Sequence, residues 1–208
     1  MILAAIQARS GSNRLPGKSM MLLPNGKSLV QSCYESVRSC VECTVVVTHE
    51  SDDTLQRHLR ERSIPYYQAC EEDDVLGRYH AAATAYRAST IVRITADCPR
   101  MPSDLFGYMF TLHGSTSADF TSDCFKRTYP DGYDIEIISY KLLDHLHKKV
   151  TLSHDDREHV TSYIYSHSQE LVDSKYVLSS IIGPYDLSHL KVSIDTQEEF
   201  ESVGRMLT

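Results

Sequence analysis

Four short apolar runs constrain this chain most: ILAAI from Ile2, CTVVVTH ending at His49, STIVRITA from Ser89 and LKVSID ending at Asp195. Runs without polar alternation are the mark of strands covered on both faces. Between them apolar residues recur at helical spacing, first Leu29, Val30, Cys33 and Val37, then Val75, Leu76, Tyr79, Ala82, Ala83 and Tyr86. Strands buried on both sides and separated by helices predict an α/β fold of three layers. A mainly parallel sheet lies between helices placed on both faces by right-handed crossovers. Asp52 and Asp53 after the second run fit a helix start. Thr196 with Glu199 makes a capping box that opens a C-terminal helix.

The alternation breaks over 115–150. ADFTSD followed by RTYPDGYDIEIIS reads as an antiparallel ribbon turning at Pro130-Asp131-Gly132. A helix near Tyr140–Lys149 follows, and Tyr129 and Tyr133 beside the turn fit cross-strand packing pairs. With no internal repeat, low-complexity tract or linker, the expectation is a single domain over 1–208 carrying a β-rich excursion at 115–150.

The first strand runs into IQARSGSNRLPGK, which holds Arg9, Arg14 and Lys18 with no acidic residue between them. The chain as a whole carries a net charge of −7, so a broad basic face for nucleic acid is not expected. A basic loop in an acidic protein implies a focused anion site instead. The loop is not a Walker A motif, because five residues rather than four separate Gly11 and Gly17. Pro16 and the following MMLLPNG also deny the helix that such a loop needs. A polyphosphate clamp fits better, with backbone N–H groups near the glycines and the three cations neutralising charge. A solvated basic turn is the alternative. Asp97 and Asp195 each end a predicted strand, where carboxylates suit Mg²⁺ beside phosphate oxygens. Asp195 also reads as a plain helix-start residue, since it precedes Thr196.

MILAAIQAR lacks the basic start of a signal peptide, and no run approaches the length of a membrane span. The six cysteines therefore read as reduced thiols of a cytoplasmic protein. Cys40 and Cys43 have no second pair at zinc-site spacing, and Cys43 begins a predicted strand. His80, His113, His145 and His147 are scattered on helical stretches and read as surface or packing residues, as do the tyrosines of TSYIYSH. His154 and His159 flank the charged cluster HDDREH, which fits either a solvated helix start or part of a site.

Six ordered segments, QARSGSNRLPGK, DDVLGRY, RITADCP, RTYPDGYDIEI, REHVTSYIY and DLSHLKVSIDT, resemble the spore-coat polysaccharide cytidylyltransferases. These are relatives of the CMP-Kdo and CMP-sialic acid synthetases, and the resemblance runs along nearly the whole chain. It implies a glycosyltransferase-A-like, Rossmann-like nucleotidyltransferase fold, CTP as donor and Mg²⁺ as cofactor. It also implies a homodimer with the β-rich excursion at its interface. By the same resemblance Ala8, Arg9, Ser10, Gly11, Ser12, Arg14 and Lys18 grip the triphosphate, and Arg78 and Asp97 approach the nucleotide. Lys18, Arg14 and Asp97 are then the catalytic set, and Asp97 with Asp195 the metal pair. Asp131, Asp134, Glu136, Arg157, Glu158 and His159 line up with segments around the acceptor pocket. Arg157 also fits an intrahelical pair with Asp155 or Glu158. One departure stands out: the family's DCPLIDP is DCPRMPS here, with Pro102 at the usual acidic position and Arg100 adding a charge.

The reaction implied is attack of an acceptor oxygen on the α-phosphorus of CTP with loss of pyrophosphate, for surface polysaccharide or glycan assembly. The acceptor is a small molecule, either a sugar acid or a phosphate or phosphonate compound. Two other classes stay open, a kinase-like phosphotransferase and a non-catalytic nucleotide-binding scaffold.

Overall fold

The computed structural model describes residues 1–149 and 151–206. Val150, at the end of the expected excursion, and Leu207 and Thr208, at the end of the expected domain, lie outside the described residues. The first half alternates strand and helix: β1 (Ile2–Gln7), α1 (Leu29–Arg38), β2 (Cys43–Thr48), α2 (Asp53–Glu61), β3 (Tyr66–Gln68), α3 (Val75–Ala85), β4 (Thr90–Thr95) and α4 (Ser103–Ser115). The second half runs β5 (Phe120–Ser122), β6 (Glu136–Ser139), α5 (Tyr140–Lys148), α6 (His154–Glu158), α7 (Ser162–Ser166), α8 (Ser168–Asp173), β7 (Leu178–Ser180) and α9 (Gln197–Met206).

Among the described residues seven strands join one sheet in the order β3-β2-β1-β4-β6-β5-β7. β1 sits between β2 and β4 and pairs with both in parallel. β6 is antiparallel to β4 and to β5, and β7 is parallel to β5. The apolar runs are continuous because both strand faces are covered. Ala4, Ile6, Val46, Val92 and Ile94 pack under α1, α2 and α4 through Val30, Cys33, Leu55, Leu59, Phe106 and Met109. The alternate residues Leu3, Ala5, Val45, Val47 and Ile91 pack under α3, α5 and α7 through Leu76, Tyr79, Leu142, Leu146 and Ile164. The layering α/β/α follows, as the pattern predicts.

Helix starts are set by side chains. Ser28, Asp52, Asp74, Ser139 and Ser153 each accept from a backbone N–H in the first turn of their helix. Such caps are worth about 1 kcal/mol apiece. The Thr196–Glu199 box forms as read: Glu199 N–H donates to Thr196 Oγ1 at 3.2 Å and Thr196 N–H to Glu199 Oε2 at 3.0 Å.

Three expectations change. The β-rich stretch is no excursion, because β6 pairs with β4 in register, Arg93 opposite Glu136, and so extends the main sheet. Tyr129 and Tyr133 lie outside any strand and pack, half-buried, against the core beneath α1 and α4 instead of against each other across a ladder. LKVSID is not a strand either. Only Lys191 makes a bridge, to Asp131, and Ile194 is buried in a satellite core with Leu23, Leu29, Phe200 and Val203. This segment is stitched to the Pro130–Gly132 turn, since Val192 and Ser193 N–H both donate to Asp131 O. Gly132 is required there: its φ is +109°, and a Cβ would stand 2.4 Å from Ser193 N.

Among the described residues no helix is long and apolar enough to cross a membrane. All six cysteines are free, and Cys43 opens β2.

Candidate active site

β1 and β4 run in parallel, so Gln7 and Thr95 end at the same sheet edge, where ligands of open α/β sheets bind. The basic loop leaves β1 at that edge and is folded by its own bonds. Gly17 N–H donates to Ser10 O at 3.0 Å, and Ser19 Oγ to Arg9 O at 3.0 Å. Ser10 N–H donates to Asp52 Oδ2 at 2.7 Å, so the carboxylate that caps α2 also fastens the loop. Gly17, at φ +72°, turns the chain into a 3₁₀ turn over Lys18–Met20. A Walker-type loop would open a long helix here.

The cleft above this edge encloses about 260 Å³ and is lined by Ala8, Arg9, Ser12, Arg14, Lys18, Asp97 and Asp195. Gln7, Asn13, Ser19, Thr95 and Ala96 also line it, and the motif alone did not mark them. Lys18 occupies the centre. Its Nζ donates to Asp97 Oδ2 at 3.0 Å, to Ile194 O at 2.9 Å and to Asp195 Oδ1 at 2.9 Å. Arg14 reaches the same Asp195 oxygen at 2.9 Å, and Lys191 the other one at 3.2 Å. Burial pushes the Asp195 carboxyl up, but the Lys18 bond and charge, with Lys191 and Arg14, outweigh it and hold the group below the usual range. Arg9 lies 3.2 Å from Glu72 and 3.9 Å from Glu158. The loop cations thus lack acidic neighbours in sequence yet meet carboxylates from distant segments in space.

The oxygens around Lys18 Nζ are two carboxylates and a carbonyl, a hard donor set already gathered on one cation. Such a set suits Mg²⁺, so the residues present fit the metal. Asp97 and Asp195 come together although Asp195 ends no strand, because Ile194 N–H donates to Asp97 O at 2.9 Å.

The family model for cytidylyltransferases matches residues 3–207. The chain belongs to the cytidylyltransferase family. It is a CTP-dependent nucleotidyltransferase. This cytidylyltransferase is 29% identical to the spore coat polysaccharide biosynthesis protein SpsF of Bacillus subtilis, over 97% of this chain and 84% of the relative. It is equally 29% identical to a cytidylyltransferase from Leptospira borgpetersenii, whose structure superposes with a TM-score of 0.87 over 98% of this chain and 84% of that one. A CMP:2-keto-3-deoxy-manno-octonic acid synthetase in complex with CTP shares the fold at a TM-score of 0.71 and 13% identity, over 99% of this chain and 98% of its own.

The other residues singled out in this cytidylyltransferase divide between the cleft and its supports. Arg78 is 1% exposed and does not line the cleft. Its Nη1 donates to Glu71 O at 2.6 Å and Glu72 O at 2.8 Å, fixing the loop that carries Glu72 to Arg9. Arg157 makes no intrahelical pair. Its Nε and Nη2 each donate at 3.0 Å to Asp74, the carboxylate that caps α3 at Gly77 N–H. Burial pushes the Asp74 carboxyl up, but Arg157 and the Gly77 N–H bring it below the usual range. Glu158 reaches towards Arg9, and His159 ends α6 exposed to solvent. Glu136 is corrected from an acceptor residue to a buried anchor, 4% exposed. Its carboxylate takes Arg93 Nη1 at 2.6 Å, Thr161 Oγ1 at 3.0 Å and the Tyr165 hydroxyl, leaving nothing for a substrate. The departure at Pro102 falls at the N-cap of α4, which it leaves without a side-chain cap. That position does not line the cleft.

Asp131 and Asp134 flank the turn before β6, with Arg127 bonded to Asp134 and 3.9 Å from Asp131. Asp123, which the sequence did not mark, stands just past β5 at the same edge and accepts from Ile135 N–H at 3.2 Å. Burial and then the nearby Asp134 push its carboxyl up to about 7. Burial also raises Asp134, against the pull of Arg127. The signal existed, since Asp123 follows FTS as Asp97 follows RITA. It was hidden because a three-residue strand has no periodicity to read.

Proposed function

We propose that this protein transfers CMP from CTP to an oxygen of a small-molecule acceptor and releases pyrophosphate, in the synthesis of a surface polysaccharide or other glycan. The observation that carries this reading is the meeting of Lys18 with Asp97 and Asp195 in a cleft walled by Arg9 and Arg14. The chain's likeness to a spore coat polysaccharide biosynthesis protein and to a CMP:2-keto-3-deoxy-manno-octonic acid synthetase supports the polysaccharide setting. A sugar acid, a sugar phosphate or a phosphonate all present an oxygen nucleophile to this machinery. The kinase-like alternative loses support because the basic loop enters a 3₁₀ turn rather than a helix.

In the reaction, Arg9, Arg14 and Lys18 spread their charge over the triphosphate, and Lys18 and Arg14 stabilise the departing pyrophosphate. Ala8 and Ser12 bring loop backbone alongside the phosphates, while Ser10, whose N–H is held by Asp52, and Gly11 lie outside the cleft lining and shape the loop. Asp97 and Asp195 would hold Mg²⁺, which when bound neutralises the α-phosphate and orients the nucleophile. Arg78 acts through the Glu71–Glu72 backbone and Arg157 through Asp74, so both position the cleft wall. Asp131, Asp134, Glu158 and His159 remain the acceptor side of the proposal, because in-line attack requires approach from opposite the leaving group. A homodimer and a cytoplasmic setting belong to the same reading; the free thiols fit the latter.

The test is pyrophosphate release from CTP and Mg²⁺ against a panel of sugar acids, sugar phosphates and phosphonates. At least one acceptor should support release, and Asp97→Asn and Asp195→Asn should abolish it while the melting curve is kept. Undiminished release by both variants would sink the metal assignment.

A further inference from the structure

We propose that Lys18 is the resident counter-ion of the Asp97–Asp195 pair and leaves it for the triphosphate when a divalent cation arrives, so that metal and CTP bind with positive coupling. This rests on the reading of those two carboxylates as the metal pair.

An ammonium group has three N–H donors. In Lys18 they are matched by three acceptors, Asp97 Oδ2, Ile194 O and Asp195 Oδ1. The side chain is 15% exposed. No donor is left for a phosphate, so Lys18 cannot serve the triphosphate while it holds the carboxylates. Conversely, two carboxylates gathered on one point repel each other unless a cation lies between them. One cation is needed there at every stage, and Lys18 and a divalent ion compete for the same oxygens.

The fold lets the exchange happen without rebuilding the site. Lys18 N–H is fixed to Leu15 O, and Met21 N–H to Lys18 O, so the backbone stays and only the flexible four-carbon stem moves. The carboxylates keep their places without Lys18. Ile194 N–H ties its strand of chain to Asp97 O, Asp195 N–H donates to Glu199 Oε2 at 2.7 Å, and Lys191 holds Asp195 Oδ2. The pair is therefore pre-placed, and Lys18 acts as a competitor for metal and not as its scaffold. Metal binding frees Lys18 for phosphate, and phosphate binding removes the competitor of the metal. By linkage each ligand strengthens the other to the same degree.

The experiment uses Mn²⁺ as the probe, titrated into the full chain with and without CTP and no acceptor. Without CTP, Lys18→Met should bind Mn²⁺ about tenfold more tightly than wild type, within the usual range of coupling between sites. Lys191→Gln, which removes a cation at the rim of the same carboxylate, should change affinity far less. The factor by which CTP tightens Mn²⁺ should shrink in Lys18→Met. Reductive methylation followed by peptide mass spectrometry should find Lys18 more reactive at saturating Mn²⁺ than without it. Equal or weaker Mn²⁺ binding by Lys18→Met, or unchanged Lys18 methylation, overturns the exchange alone if Asp97→Asn still abolishes Mn²⁺ binding. If Asp97→Asn binds Mn²⁺ as wild type does, the metal-pair reading falls and the exchange falls with it.

Discussion

Replacing Asp123 with Asn should make the protein more stable at neutral and alkaline pH and leave it little changed in mild acid. The carboxyl is 2% exposed and carries a value near 7 in the folded state, against an ordinary 3.8. Burial is the main cause and the Asp134 carboxylate the second. The sign follows from proton counting. Between about pH 4 and 7 the native protein keeps a proton that the unfolded chain has released, so stability falls as pH rises through that window. Above 7 the native carboxylate is ionised in place, and the whole deficit, at most about 4 kcal/mol, persists. Asn cannot ionise, and its amide oxygen still accepts from Ile135 N–H. Urea unfolding at intervals from pH 5 to 8.5 should show the variant's advantage opening with pH to about 1–4 kcal/mol and then levelling. Parallel pH profiles for the two proteins, or a variant less stable at pH 8, would mean that Asp123 is ionised at no cost.

Glu136→Gln should leave the Arg93 guanidinium, whose side chain is 17% exposed, without its counter-charge and cost about 3 kcal/mol, read as a fall in melting temperature; an unmoved melt would show that Arg93 finds water. Arg157→Ala should cost about 1 kcal/mol through the lost fork on Asp74, and Arg157→Lys should recover only part of it, since a point charge cannot make both bonds. Equal stability of all three proteins in urea would return Arg157 to the solvated surface. Lys18→Ala and Arg14→Ala should each lower kcat/KM by the equivalent of roughly 2–4 kcal/mol, as for loss of one charge-stabilising donor. An unchanged rate in the double variant would make the loop a solvated turn.

Long apolar runs and helical periodicity were legible because burial writes them directly: β1, β2, β4, α1 and α3 fall where the pattern puts them. Short strands were not legible. β3, β5 and β7 are three residues each, and their place in the sheet comes from tertiary pairing and not from their own pattern. LKVSID misled because an apolar run reports burial and not hydrogen bonding, and Ile194 finds its burial against Phe200 and Leu23. The placement of the basic loop and Asp97 at one sheet edge was legible through the strand-end rule, whereas the contacts of Arg78, Arg157 and Glu136 were not. Arg157 and Glu136 are charged residues whose partners, Asp74 and Arg93, lie far away in sequence, while Arg78 bonds the nearby backbone carbonyls of Glu71 and Glu72, which any residue type would supply. Local spacing carries no record of such pairs.

In the proposed reaction the bond to the α-phosphorus of CTP is the one exchanged. That exchange is tested most directly with two CTP samples, one radiolabelled at the α-phosphorus and one at the γ, each incubated with Mg²⁺ and an acceptor that supports turnover. The α label should move onto the acceptor as a CMP conjugate, and the γ label should be recovered in pyrophosphate. Recovery of the γ label on the acceptor with formation of CDP, or CTP returned intact from every acceptor of the panel, would contradict it.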